Sequence, residues 1–156
     1  MKRPSATLGL YLHVPFCVRK CAYCDFASRP IADGGVERYL SALERELALR
    51  PADFAPSTVY IGGGTPTALP DDALARALAL VRAAIAPERV VEWTCEANPG
   101  TLTASKARIL RAAGVNRISL GAQSFDDARL RHIGRIHTAA KSGRPSRSRA
   151  ARDSRT

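Results

Sequence analysis

VEWTCEA, residues 91–97, alternates without a break: Glu92, Thr94 and Glu96 interleave with Val91, Trp93, Cys95 and Ala97. A period of two is that of a β-strand with one apolar and one polar face. The pattern recurs in 10–14, where Tyr11 and His13 alternate with Leu10, Leu12 and Val14. It appears again in 117–123, where Arg117, Ser119, Gly121 and Gln123 alternate with Ile118, Leu120 and Ala122. Strands are expected over 8–14, 57–63, 89–97 and 115–124. Between them lie helical patterns. The first, at about 35–50, carries Val36, Tyr39, Leu40, Leu43 and Leu47 on one stripe. The second, at about 71–86, opens with Pro70-Asp71 and carries Leu74, Leu78, Val81 and Ile85. A third is capped by Thr103 and ends before Gly114, and a fourth starts at Ser124.

Repeated strand–helix units imply a parallel sheet with right-handed crossovers. A doubly wound sheet, covered on both faces, would carry apolar residues on both. Here one face is polar in three strands out of four. The expected fold is therefore α/β, a partial TIM-like (β/α) barrel of about four βα units, with helices outside and a polar, ligand-holding interior. The same parity puts Cys95 on the apolar side with Trp93, as a packed core residue.

The chain has 156 residues, 46% hydrophobic and 24% charged, the balance of a globular protein. No apolar run approaches the roughly 18 residues of a membrane span. No apolar leader follows the basic start Met1-Lys2-Arg3-Pro4, and a cytoplasmic location is expected. The net charge of +10 invites a nucleic-acid reading, but half of the excess sits in KSGRPSRSRAARDSRT (141–156). No aromatics interleave with the basic residues as a stacking platform requires, so nucleic acid is not an expected partner. Two parts are expected: a folded body over 1–140 and a basic, low-complexity tail over 141–156, too poor in large apolar residues to order itself.

HVPFCVRKCAYCDF (13–26) holds Cys17, Cys21 and Cys24 in the spacing CxxxCxxC. In a reducing compartment such clustering points to metal or catalysis. Three thiolates can wrap three corners of an iron–sulfur cubane and leave the fourth iron open to an exogenous ligand. The same loop could instead complete a zinc site with His13. YIGGGTPT (60–67) ends a strand with three glycines, which suit either close backbone approach by a ligand or a tight βα turn. It lacks the lysine of a P-loop. In CEANPGT (95–101) the inward Glu96 precedes a turn, and in SLGAQSF (119–125) Gln123 points inward at the strand end. All of these fall at the C-terminal ends of parallel strands, the functional rim of a barrel, and that position decides the glycines in favour of a ligand.

CxxxCxxC followed by GGGTP, EANP and GxQSF, from about Leu10 to Ala140, resembles the radical S-adenosylmethionine superfamily. Within it the likeness is to the branch of oxygen-independent coproporphyrinogen III oxidases and HemW-type heme chaperones. The resemblance implies that Cys17, Cys21 and Cys24 ligate a [4Fe–4S] cluster whose open iron binds S-adenosylmethionine. Reduction of the cluster would then cleave the sulfonium to methionine and a 5′-deoxyadenosyl radical. It implies that Tyr11, Gly63 and Glu96 contact that cofactor. In the oxidase branch Tyr23, Gly64, Thr65, Gln123 and Arg135 help hold a second molecule of it. Phe26 stands where the oxidases carry a further cysteine, so CAYCDF is the chaperone-type pattern, expected to bind heme for delivery to acceptor proteins. A reductant such as flavodoxin is an implied partner, and full oxidase activity is not expected. Family members continue beyond GRIHTAA with further strands and a tetrapyrrole-handling domain. The departure after Ala140 is what a frameshifted or truncated gene model would produce. A coproporphyrinogen dehydrogenase, or a zinc module whose basic tail binds an acidic partner, are the other readings.

Overall fold

In the computed structural model, which describes residues 8–32 and 34–143, the alternating segments become neighbouring strands. The elements are β1 (Gly9–Val14), β2 (Phe16–Cys17), β3 (Arg29–Pro30), α1 (Gly35–Ala48), β4 (Thr58–Gly63), α2 (Asp71–Ala84), β5 (Glu92–Ala97), α3 (Ala104–Ala113), β6 (Arg117–Leu120) and α4 (Asp127–His132). The main sheet has the order β1-β4-β5-β6, and every pairing in it is parallel. The chain therefore steps one strand at a time in a single direction. A doubly wound sheet would reverse direction partway. This is the arc of a partial TIM-like barrel.

Register lines up the two faces. Tyr11 pairs with Tyr60, Tyr60 with Thr94 and Thr94 with Arg117, while Leu12 pairs with Ile61 and Ile61 with Cys95. The second row lies on the covered face. Val14, Val59, Ile61, Trp93 and Cys95 are buried there against Leu40 and Leu43 of α1, Leu74, Leu78 and Val81 of α2, and Leu110 of α3. Trp93, the largest of them, is 1% exposed. Cys95 is a core residue, as its parity predicts; burial pushes its thiol up to about 12, with Glu96 nearby adding to the effect.

Helix ends follow local chemistry. The Thr103 side chain accepts from Lys106 N at 3.2 Å, and Gly114, at φ 111°, closes α3 in the left-handed conformation. Thr103→Ala is expected to lower stability by about 1 kcal/mol, read as a drop in unfolding temperature with unchanged secondary structure.

Several boundaries differ from the sequence reading, among them the start of the third strand, at Glu92 instead of 89. The fourth strand ends at Leu120 instead of Ser124. Gly121 N still reaches Ala97 O at 2.8 Å, but Ala122 N then bonds back to Leu120 O and Ser124 N to Ala122 O, and these tight turns lift the chain off the sheet. Likewise α4 does not start at Ser124: Asp126 is its cap, accepting from the N–H groups of Ala128 and Arg129, while Ser124 Oγ accepts from Asp126 N. A short 3-10 turn, Ala139–Ser142, crosses the expected boundary at 140. The rest of the expected tail, 144–156, lies outside the described residues. No helix among the described residues is long and apolar enough to cross a membrane.

Candidate cofactor site

Phe16 places the cysteine loop. Its ring is buried in the core, edge-on to Tyr39 of α1 with centroids 5.5 Å apart, so the next residue, Cys17, sits at a fixed point beside the sheet. β2 pairs with β3, and Arg29 N donates to Pro15 O at 2.9 Å, which closes the base of the loop. His13 ties its far side: Nε2 donates to Ala27 O at 2.9 Å, so in the neutral ring Nδ1 accepts the Tyr11 hydroxyl at 3.2 Å. A turn from Cys21 O to Cys24 N, 3.1 Å, brings the last two cysteines back toward the sheet. All three thiols are free.

The glycine turn is the opposite wall. Gly63, at φ 103°, aims its N–H at Glu96 Oε2, 3.1 Å away, while the Tyr60 hydroxyl donates to Oε1 at 2.6 Å. That bond to the carboxylate, with burial, raises the Tyr60 pKa above its ordinary value. Gly64 N donates to Val14 O at 2.8 Å and Thr65 N to Phe16 O at 2.6 Å, which fastens this wall to the entry of the cysteine loop. The sequence reading gave the glycines to a ligand's approach. For Gly64 the close approach is the chain's own: a Cβ would stand 2.5 Å from Phe16 O.

Between the walls is a cavity of about 320 Å³. Of the residues singled out in the sequence, Cys17, Cys21, Tyr23, Cys24, Gly63, Gly64, Thr65, Glu96, Gln123 and Arg135 all line it. Tyr11 does not. It lies on the open polar face of the sheet, 56% exposed and stacked on Tyr60 with centroids 6.0 Å apart. Gln123 reaches the cavity from the loop after β6, not from the strand, and it holds φ 63°. A left-handed non-glycine residue is uncommon and is found preferentially at functional sites.

The sequence reading missed Asn98, Arg19, Ser119 and Gly121, which also line the cavity. Asn98 was legible: it follows Glu96 by two, so it shares the inward face, but the Asn-Pro-Gly turn signal masked it. Its turn is locked by Thr101, whose hydroxyl donates to Asn98 O at 3.1 Å and lies 2.6 Å from Thr67 Oγ1. Arg19 sits inside an irregular loop, where periodicity says nothing.

Arg135 closes the cavity from the segment after α4. Its guanidinium donates to Cys21 Sγ at 3.5 Å, to Asn98 Oδ1 and to Gly121 O. The buried His137, bonded to Ala122 O at 3.2 Å, anchors the same segment. Among the described residues, no group of three or more His, Cys, Asp or Glu side chains is arranged to hold a single metal ion. His13 in particular is turned to Tyr11 and Ala27, so the Cys₃His zinc arrangement is not the one adopted.

Comparison with known proteins agrees with this geometry. Residues 11–142 match the Radical SAM superfamily. The chain is 42% identical over 131 residues to the heme chaperone HemW of Bacillus subtilis (strain 168), covering 81% of this chain and 35% of that protein. It is 42% identical over 135 residues to HemW of Escherichia coli (strain K12), with 83% and 35% covered. Its fold superposes on the coproporphyrinogen III oxidase HemN of Escherichia coli, described as a radical SAM enzyme, with a TM-score of 0.76. That match has 31% identity and covers 86% of this chain and 32% of that one. The chain thus spans about a third of the length of the relatives it matches. With the family match running from β1 through all four βα units, the chain belongs to the radical SAM superfamily.

Proposed function

We propose that this chain is the cofactor-binding part of a HemW-type heme chaperone, holding a [4Fe–4S] cluster through Cys17, Cys21 and Cys24 and S-adenosylmethionine beside it. The observation that carries this reading is the convergence of three free thiols with Gly63, Gly64, Thr65 and Glu96 on one cavity. The donor set suits the group: soft thiolates on one loop favour iron–sulfur chemistry. When bound, the cluster supplies one-electron cleavage of the sulfonium of S-adenosylmethionine, and the protein supplies orientation and shielding.

The chain's own groups are matched to such a ligand. Glu96, fixed by Tyr60 and the Gly63 N–H, presents a carboxylate toward an ammonium group. Arg19 and Arg135 bring positive charge to a carboxylate, and Tyr23 and Phe26 give apolar walls against a nucleoside. Thr65, Gly64, Gln123, Arg135 and Tyr23, which the resemblance to the oxidase branch assigns to a second molecule, line the same cavity. Tyr11, outside the cavity, acts through its stack on Tyr60 and its bond to His13. Phe26, 64% exposed at the cavity mouth, stands where an oxidase carries a cysteine, which favours heme delivery over coproporphyrinogen oxidation. Heme, its acceptor proteins and a reductant such as flavodoxin are the proposed partners of the whole protein.

The test is anaerobic reconstitution of the chain with iron and sulfide, followed by reduction and electron paramagnetic resonance. A [4Fe–4S]⁺ signal that changes on adding S-adenosylmethionine is the expected result. A signal indifferent to that addition, or no cluster, would overturn the reading.

A further inference from the structure

Two of the three candidate ligand sulfurs already face hydrogen-bond donors, and a single side chain holds both donors. Thr65 Oγ1 donates to Cys17 Sγ at 3.8 Å, and Arg135 donates to Cys21 Sγ at 3.5 Å. Asn98 lies between them. Its Nδ2 donates to Thr65 Oγ1 at 2.9 Å, and its Oδ1 accepts from Arg135. The protons run consistently along this chain. Because Asn98 Nδ2 occupies a lone pair of the Thr65 hydroxyl, the hydroxyl proton is left to point at Cys17. Because Asn98 Oδ1 and Gly121 O take one guanidinium nitrogen, the other is left for Cys21. Thr65 is buried, so it has no competing water to turn toward. Among the described residues Cys24 receives no such side-chain donor. Asn98 itself touches no cysteine sulfur by a hydrogen bond, and its backbone is pinned by Thr101.

We propose that Asn98 is a positioning residue: it turns Thr65 onto Cys17 and Arg135 onto Cys21, and through them raises the reduction potential of a cluster held there. This inference rests on the cluster reading above. Donors to ligand sulfurs, and a positive charge beside them, stabilise the form of the cluster that carries the extra electron. The net effect of the relay is therefore to make the cluster easier to reduce, which matters for a group that must accept one electron before it can act.

The experiment is a potentiometric titration of the reconstituted chain, followed by the [4Fe–4S]⁺ resonance. Asn98→Ala, Thr65→Val and Arg135→Lys are each expected to move the midpoint to more negative potential, whereas Thr65→Ser, which keeps the hydroxyl, returns it to the wild-type value. Asn98→Ala combined with Thr65→Val is expected to shift the midpoint by less than the sum of the two, because Asn98 acts partly through Thr65. A merely structural Asn98 would lower stability or cluster occupancy and leave unchanged the midpoint of the clusters that form. Equal midpoints, or fully additive shifts, would overturn the proposal while leaving the cluster reading intact. A wild-type chain that forms no cluster would overturn both. Circular dichroism of each apo variant separates a lost fold from a lost contact, and Thr65→Val with Arg135→Lys carries the test should Asn98→Ala not fold.

Discussion

Cys21→Ser is expected to remove essentially all of the [4Fe–4S] resonance and visible absorbance after reconstitution, with bound iron falling to background. Three thiolates are the whole protein ligand set of the proposed cluster, so losing one leaves two, and serine offers a hard oxygen where the soft iron–sulfur group requires thiolate. Cys21 is also the sulfur to which Arg135 donates, but serine keeps an acceptor there and Asn98 Oδ1 and Gly121 O still hold the guanidinium, so the expected loss is that of the cluster ligand. Cys17→Ser and Cys24→Ser should behave alike in cluster content. Cys95→Ala is the contrast. It lies in the core on the covered face of the sheet, away from the cavity, and should keep the cluster while lowering stability by roughly 1 kcal/mol. Iron analysis and circular dichroism on the four variants check this. A cluster in Cys21→Ser equal to that of the wild type would show that the loop is not the ligand set.

Much of the fold was legible because its signals are local and repeated. The alternation in β1, β5 and β6 set the faces of the sheet, and the apolar stripes of α1 and α2 set which face is covered. What escaped was decided by contacts made across long sequence distances or by single side chains. β2 and β3 are two residues each, and β2 is placed by Phe16, which is buried against Tyr39 of α1. No period can be read from two residues. The end of β6 depends on tight backbone turns after Gly121, and the start of α4 on a choice between Ser124 and Asp126 as cap. Asp126 caps because its carboxylate accepts two N–H groups at once, which also holds its pKa below the ordinary value.

The site divides along the same line. The cysteines, the glycines and Glu96 stood out because their residue types are chemically unusual at strand ends. Asn98 did not, because Asn-Pro-Gly is also what an ordinary turn looks like. Its importance lies in joining Thr65, 33 positions before it, to Arg135, 37 positions after it, which spacing alone does not reveal. Tyr11 is the reverse case. The family resemblance implied a cofactor contact, while its side chain stands on the open face of the sheet, one neighbour removed from Glu96 through Tyr60.

Gly64→Ala is expected to damage the fold and the site together. The added Cβ would lie 2.5 Å from Phe16 O and 2.8 Å from Val14 O. Both are backbone atoms, so no side-chain rotation relieves the overlap, and the strand or the loop must move. A backbone shift of this kind costs about 3 kcal/mol, the upper end of ordinary overpacking. The displaced carbonyls are those that accept from Gly64 N and Thr65 N, and Phe16 directly precedes Cys17. The strain therefore falls on the join between the two walls of the cavity, separating Cys17 Sγ from the Thr65 hydroxyl. Expected results are an unfolding temperature lowered by several degrees and a cluster yield well below wild type under the same reconstitution. Gly143→Ala is the control, since nothing lies within 4 Å of its would-be Cβ and its φ of 68° carries only the local backbone strain. A Gly64→Ala chain with wild-type stability and cluster yield would mean that the walls are not joined through Val14 and Phe16, and that the glycine serves the ligand alone.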